Sequence, residues 1–196
     1  TTECERHGHE LICAAHLAPQ NNEDELDSFC FQSAAHNVVE GVAACLGVPL
    51  IRRTWDGKSI DQSLNYSVTE GDEVEELYEL LREVLRRHPD VCAVSSGAIL
   101  STYQRTRVET CCRRLQLTSL AYLWQRPQRQ LLKDMSRSGL RAIVVKTATL
   151  GLEPEDLGLE LMARETRSRF DDLHDKYAFH VCGEGGEYES LVLDSP

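Results

Sequence analysis

The chain has 196 residues and a mass of 22.1 kDa, enough for one domain or one domain with a small appendage. Hydrophobic residues make up 41% and charged residues 27%, an ordinary globular balance. No apolar run approaches the about 18–20 residues that cross a bilayer, and the first residues do not read as a signal peptide. Membrane-spanning, collagen-like and disordered classes are excluded. With 32 acidic against 21 basic residues the net charge is −11 and the pI near 5.1, a field that opposes phosphate polyanions. General nucleic-acid binding is not expected.

The predicted elements alternate strand and helix. Glu10–Leu17 (ELICAAHL) is a short apolar run followed by Pro19 and a polar loop over 20–25, a buried strand and its exit. From Ser28 to Leu46, Phe31, Ala34, Ala35, Val38, Val39, Val42 and Leu46 fall at helical spacing, with Gly47 as a stop. Val48–Arg52 is the next strand. Asp72 opens a helix with Glu75 as capping-box partner, and Val74, Leu77, Leu81, Val84 and Leu85 form its buried stripe up to Pro89. Val91–Ser95 is a short strand. Ser101-x-x-Gln104 is a second capping box, opening a helix that runs to about Leu115. A strand over Thr118–Tyr122, a helix over Pro127–Ser138 stopped by Gly139, and the strand Leu140–Lys146 continue the pattern. Glu155–His174 reads as helical and Glu189–Asp194 as an alternating strand. The fold class is α/β, with a mainly parallel sheet covered on both faces, that is, three αβα layers.

The eight cysteines contain no C-x-x-C pair, and the seven histidines contain no H-E-x-x-H, so no metal site is expected. Cys13, Cys45 and Cys92 lie in apolar stretches and are expected to act as small hydrophobes in a reduced, cytoplasmic protein. The basic pairs Arg52-Arg53, Arg86-Arg87 and Arg113-Arg114 fit solvated faces and helix C-termini.

In open α/β sheets, ligands gather beyond the carboxyl ends of strands. Ala15, His16 and Leu17 leave the first strand there, a weak signal by itself. Ser96, Gly97 and Ala98 follow a strand and precede a capped helix, offering open amides and hydroxyls beside a helix N-terminus, which favours anions. Tyr103, Gln104, Arg105 and Arg107 follow; the two arginines point to different sides, so only one is expected to face a ligand, and its fork suits a phosphate. An ordinary strand–helix turn with solvated arginines fits equally well. The third segment is His180-Val-Cys-Gly-Glu184-Gly185-Gly186-Glu187-Tyr188-Glu189. Its carboxylates have the wrong sign for phosphate and suit a cation or an ammonium-bearing substrate; a solvated acidic turn is the plainer alternative. His180 and Cys182 fit local packing.

HVCGEGGEYESLVLD closely resembles the signature of the diphthine–ammonia ligase family, a branch of the N-type ATP pyrophosphatases. GDEVEELYELL, SSGAILSTYQRTRVE, LAYLW and ELDSFCFQSAAH resemble further motifs of that family, in its order, over essentially the whole chain. Ser190 stands where Thr is expected. The family's Ser-Gly-Gly-Lys-Asp-Ser loop, which grips pyrophosphate, does not occur here, so the chain is expected to be a trimmed piece that lacks full activity.

The resemblance implies an adenine-nucleotide alpha-hydrolase-like fold: a nucleotide domain over 1–117 and a smaller substrate-binding subdomain over 118–196. It implies ATP with Mg²⁺ as cofactor, and elongation factor 2 carrying diphthine and ammonium as partners, with no nucleic acid or membrane. Ala15, His16 and Leu17 would border adenine; Ser96, Gly97, Ala98 and Arg105 would face phosphates. Glu184 and Glu187 would be catalytic. Tyr103, Gln104, Tyr122, Trp124, Gly185, Gly186, Tyr188 and Glu189 would hold the substrate, the aromatic rings through cation–π contacts of about 0.5–2 kcal/mol. Tyr122 and Trp124 fit the core equally. A tRNA-modifying adenylating enzyme on the same scaffold, or a non-catalytic nucleotide-binding module, are the alternatives. The picture depends on a glycine-backed acidic loop opposite the helix start after Ser96–Gly97.

Overall fold

The computed structural model describes residues 1–20, 28–32, 34–56 and 58–195. Most of the polar loop over 20–25, and the first three residues of ELDSFCFQSAAH, lie outside the described residues. The chain forms two compact units, one from Glu3–Ala98 and Thr102–Tyr122, the other from Ile99–Ser101 and Leu123–Pro196.

In the first unit a short α1 (Thr2–Arg6, all but Thr2 in this unit) precedes β1 (Ala14–Pro19), which pairs in parallel with β2 (Leu50–Trp55), Ala14 opposite Leu50 and Pro19 opposite Trp55. β3 (Ala93–Ser95) pairs in parallel with β4 (Thr118–Leu120). The described strands thus form two-stranded pairs where one mainly parallel sheet was expected. The other helices described in this unit are α2 (Val39–Cys45), α3 (Glu73–Arg87) and α4 (Thr102–Arg114).

α3 forms where the apolar stripe predicts it. Val74, Leu77, Leu80, Leu81 and Val84 are buried on one face, against Leu17, Ile51, Trp55, Val108 and Cys111. Acids fill its first turn and Arg86 and Arg87 its last, both favourable to the helix dipole. Its cap differs from the predicted box. Asp72 Oδ1 accepts the Val74 amide at 2.9 Å, but Glu75 makes a two-bond pair with Arg114, at 2.7 and 2.8 Å, and accepts the Tyr66 hydroxyl. A guanidinium fork is a stronger partner for a carboxylate than one more amide.

The long helix expected over Ser28–Leu46 is reduced to α2 and a preceding 3-10 turn, His36–Val38. Ser28 Oγ accepts the amides of Cys30 and Phe31 at 3.1 and 2.8 Å, and Ala35 is left-handed at φ 61°. A hydroxyl that satisfies backbone donors locally competes with a helix. Val38 and Leu46, counted in the stripe, are exposed, as are Cys45 and Cys92, because such short elements leave one side uncovered.

The second unit contains α5 (Gln128–Arg137), β5 (Arg141–Thr147), α6 (Arg164–Tyr177) and β6 (Tyr188–Asp194). β5 and β6 pair antiparallel, with register shifts at Arg141/Ala142 and Val144/Lys146. Gly139, at φ 88°, ends α5 as the sequence indicates. The helix predicted over Glu155–His174 starts later: Pro154–Asp156 is a 3-10 turn, and Glu160 bridges to Ile143 instead. Arg169 ties that turn to α6 through Asp156. The core here is Phe170 with Phe179 and Tyr188, ring centroids 4.9 and 5.3 Å away.

Phe170 has no exposed surface. Phe170→Ala lowers stability by about 3–5 kcal/mol, read as a lower urea midpoint at unchanged slope. An unmoved midpoint contradicts this packing.

Candidate functional site

In the first unit Ala15 is exposed, His16 half-buried and Leu17 buried along β1. His16 Nδ1 is buried without a hydrogen-bond partner. Burial, helped by the nearby Arg52 and His36, pushes its pKa down to about 4, so the ring is neutral near pH 7. Just beyond β3, Ser96 Oγ is also buried and unpartnered, while the Ser96 amide bonds to Leu120 O at 3.1 Å. Gly97 is exposed and Ala98 buried. Buried polar atoms without partners are costly unless a water, ion or ligand satisfies them. Two of the segments read as nucleotide-binding therefore carry such an atom.

On α4 the two arginines separate as their spacing requires. Arg105 pairs with Glu109 at 2.6 Å, one turn on. Arg107 is fully buried; it donates to the carbonyls of Ser63 (3.0 Å), Tyr103 (3.3 Å) and Asp61. Its guanidinium lies 3.2 Å from the Tyr103 ring centroid. One face of Tyr103 is thus covered by an internal cation, and its hydroxyl meets Ser59 at 3.0 Å. That removes this face from the cation–π role expected toward substrate. Gln104 is half-buried.

Beside Arg107 lies a carboxylate that sequence reasoning passed over. Glu73 is fully buried, accepts the Ser28 hydroxyl at 2.7 Å through Oε2, and has no partner on Oε1. Desolvation raises its pKa above the ordinary glutamate value. The available signal was two adjacent acids, Asp72 and Glu73, opening an apolar-striped helix. Tyr122, also in this unit, stacks on His7 at 4.1 Å and meets His9 Nε2 at 2.6 Å.

In the second unit the carboxylates of the glycine-rich loop engage backbone amides. Glu184 Oε1 accepts the amides of Ile99, Leu100 and Ser101 at 2.8, 2.9 and 2.9 Å. Glu187 accepts the His180 amide through Oε1 and the Gly185 amide through Oε2, both at 2.8 Å. Within the second unit the acidic loop is therefore joined to the backbone of Ile99–Ser101. Its two central acids engage backbone donors, however, where free carboxylates were expected.

Gly183 has φ +74°, and a Cβ there would lie 2.9 Å from Tyr188 O, so this position requires glycine. His180 Nδ1 accepts the Cys182 and Glu184 amides at 3.3 and 3.4 Å, which assigns the ring proton to Nε2. Burial lowers the His180 pKa and raises the Cys182 thiol to about 12. Both residues serve the loop's packing. Tyr188, expected to face substrate, is a core residue: its ring packs on Phe170 and Phe179 and its hydroxyl donates to Val181 O at 2.9 Å. Gly186 is exposed and Trp124 half-buried. Glu189 lies 3.6 Å from Lys146 through Oε1, and its Oε2 is buried without a partner. Among the described residues, no three metal-ligating side chains converge.

These features define an α/β protein with unpartnered polar atoms at two candidate nucleotide segments and a wired, glycine-rich acidic loop. The diphthamide synthase N-terminal domain matches residues 9–119 and the diphthamide synthase C-terminal domain residues 127–196; the chain belongs to the diphthamide synthase family. It is similar to proteins named diphthine–ammonia ligase. Identity is 52% to that of Schizosaccharomyces pombe, over 98% of this chain and 32% of the relative. It is 48% to that of Danio rerio, over 99% and 76%, and 46% to that of Homo sapiens, over 99% and 73%. The chain spans about a third of the yeast relative's length.

Because folding depresses the His16 pKa, the unfolded chain takes up that proton first as pH falls. The stability linked to His16 is complete above about pH 6.5 and is lost as pH falls toward about 4. His16→Asn flattens the urea midpoint against pH across that window; an unchanged slope contradicts the buried neutral ring.

Proposed function

We propose that the full protein to which this chain belongs carries out the last step of diphthamide biosynthesis. In that step diphthine on translation elongation factor 2 is amidated with ammonium at the expense of ATP, in the cytoplasm. The carrying observation is the identity of about half, over nearly the whole chain, to proteins named diphthine–ammonia ligase.

A carboxylate resists ammonia because its leaving group would be an oxide. In the proposed reaction a carboxylate oxygen of diphthine attacks the α-phosphorus of ATP and pyrophosphate leaves. Ammonia then attacks the acyl carbon, its extra proton is released, and AMP departs with the bonding electron pair, leaving the amide.

The first unit is read as the αβα nucleotide scaffold. His16 and Ser96 supply buried polar atoms that lack partners, as a nucleotide site would. Arg105 is assigned to the phosphates, exchanging Glu109 for a ligand anion. Mg²⁺ would arrive with the ATP phosphates, and no step is assigned to it. The second unit is read as the substrate side. Its loop lies among acids that suit diphthine's trimethylammonium, with Glu189 Oε2 unengaged. Glu184 and Glu187 act as positioning residues, since their bonds run to the backbone that shapes the loop.

The full-length protein, given diphthine-bearing elongation factor, ATP and ammonium, releases AMP and pyrophosphate in equal amounts and converts the acid to the amide by mass spectrometry. Release of ADP, or AMP release independent of the elongation factor, overturns the reading. Within that assay, Glu187→Ala raises KM for the protein substrate about tenfold and leaves KM for ATP within about twofold, with partial rescue by Glu187→Gln. Arg105→Ala does the reverse. Loss of ATP affinity in Glu187→Ala reverses the division between the two units.

A further inference from the structure

In the second unit an open cavity of about 280 Å³ between α5 and α6 is lined by Arg129, Lys133, Arg164, Arg167, Ser168 and Asp171. Four cations face one carboxylate, in a chain whose net charge is −11. Lys133, Arg164 and Ser168 are exposed and Arg129, Arg167 and Asp171 half-buried, and the surrounding ion pairs show which cations of the unit already have a partner. Arg126 pairs with Asp134 at 2.8 Å, Arg141 with Glu160 at 3.4 Å, Lys146 with Glu189 at 3.6 Å, and Arg169 with Asp156. Arg137 reaches Asp134 at 3.7 Å, and Lys176 lies 4.8 Å from the Tyr177 ring.

Apart from Arg129, three basic side chains among the described residues of the unit take part in no such pair: Lys133, Arg164 and Arg167. All three line the one cavity. The carboxylate there, Asp171, lies 3.0 Å from Arg129 Nε, which makes no hydrogen bond, and Arg129 also binds Asp175 at 2.6 Å. Arg167 Nε is buried without a hydrogen-bond partner.

Like charges brought together without a counter-charge repel, and a buried guanidinium N–H without an acceptor adds a desolvation cost. One bound oxyanion removes both penalties. Arg164 and Arg167, three residues apart on α6, project from the same helix face, so their planar forks suit several oxygens on one centre. Arg164 also stands in the first turn of α6, where the cap residue Ala163 offers no side-chain acceptor. A neighbouring pocket shares Arg164 and Ser168 and adds Glu165 and Asp172, and these acids, with the chain's negative field, disfavour a long polyanion.

We propose that this cavity binds a phosphate dianion, either free phosphate or a phosphomonoester. Arg164 and Arg167 hold its oxygens, Lys133 supplies a point charge, and the Ser168 hydroxyl donates a further bond. None of these residues belongs to the proposed ligase machinery, so this site stands or falls separately from that reading.

The test is a titration of the isotopically labelled chain, followed by NMR at the backbone amides over 164–168 and at the Arg167 Nε–H. The probes are inorganic phosphate, phosphoserine and sulfate, at constant ionic strength. Phosphate produces saturable shifts with a Kd on the order of 1 mM, tighter at pH 8 than at pH 6 as the dianion forms. Sulfate, whose charge does not change across that range, shows no such pH dependence. Tighter binding of phosphoserine than of phosphate identifies an esterified ligand; the reverse identifies the free ion. Arg164→Gln with Arg167→Gln weakens binding about tenfold or more at a thermal midpoint no lower than that of the parent chain. Should that pair fail to fold, Lys133→Gln, from the other helix, serves the same comparison with a smaller loss. Absent or non-saturating shifts at 164–168, or binding that survives these substitutions, overturns the proposal.

Discussion

The glycine-rich loop takes its shape from two carboxylates that engage backbone amides. Glu184 gathers three consecutive N–H groups, of Ile99, Leu100 and Ser101, onto one oxygen, and Glu187 bridges His180 to Gly185 with its two oxygens. Such bonds are short and charge-assisted, and each carboxylate replaces water lost by several donors at once. Glycine is demanded by the same arrangement. A side chain at Gly183 would strike Tyr188 O, and one at Gly185 would meet the Glu187 carboxylate at 2.6 Å. Behind the loop, Tyr188 bonds Val181 and joins Phe170 and Phe179 in the core. An acidic sequence that looks like a free anionic surface is, in its middle, a piece of internal wiring.

The first unit handles its buried charge by a related principle. Asp72 is fully buried and accepts the amides of Ile60, Asp61 and Val74. Arg107, equally buried, reaches two carbonyls of the same 60s segment and lies over Tyr103. The two side chains thus hold opposite backbone groups of one irregular stretch, satisfying donors and acceptors that no strand or helix partners there. Buried polar atoms without partners remain in this unit on His16, Trp55, Glu73, Ser96, Arg107 and Ser119, and those of His16 and Ser96 fall in the two segments read as nucleotide-binding.

Charge is also distributed unevenly. The chain is acidic in total, yet among the described residues many acids are engaged, with Arg82, Arg86, Arg87, Arg114 and Arg129 or with backbone amides. Exposed pairs of this kind contribute little stability individually. Their consequence here is that the cations they leave out become conspicuous, and in the second unit three of those converge on one cavity between two helices.

Much of the secondary structure was legible in the order of residues, because the relevant forces act over a few positions. The stripe of α3, the stop at Gly139 and the strand at Arg141–Thr147 follow from periodicity and backbone preference. The motifs that mark the family were legible for the same reason, being runs of contiguous residues. What each polar side chain bonds to was not. Glu75 turned from its expected amide to Arg114, Ser28 broke a helix that periodicity favoured, and Glu184 left its loop for amides 83–85 residues away. Tyr188 moved from a supposed substrate face to the core. Sequence spacing limits which neighbours a side chain meets within its own helix or strand. A carboxylate, hydroxyl or ring takes the best partner that tertiary packing brings within about 3 Å, and that choice exists only once distant segments have come together.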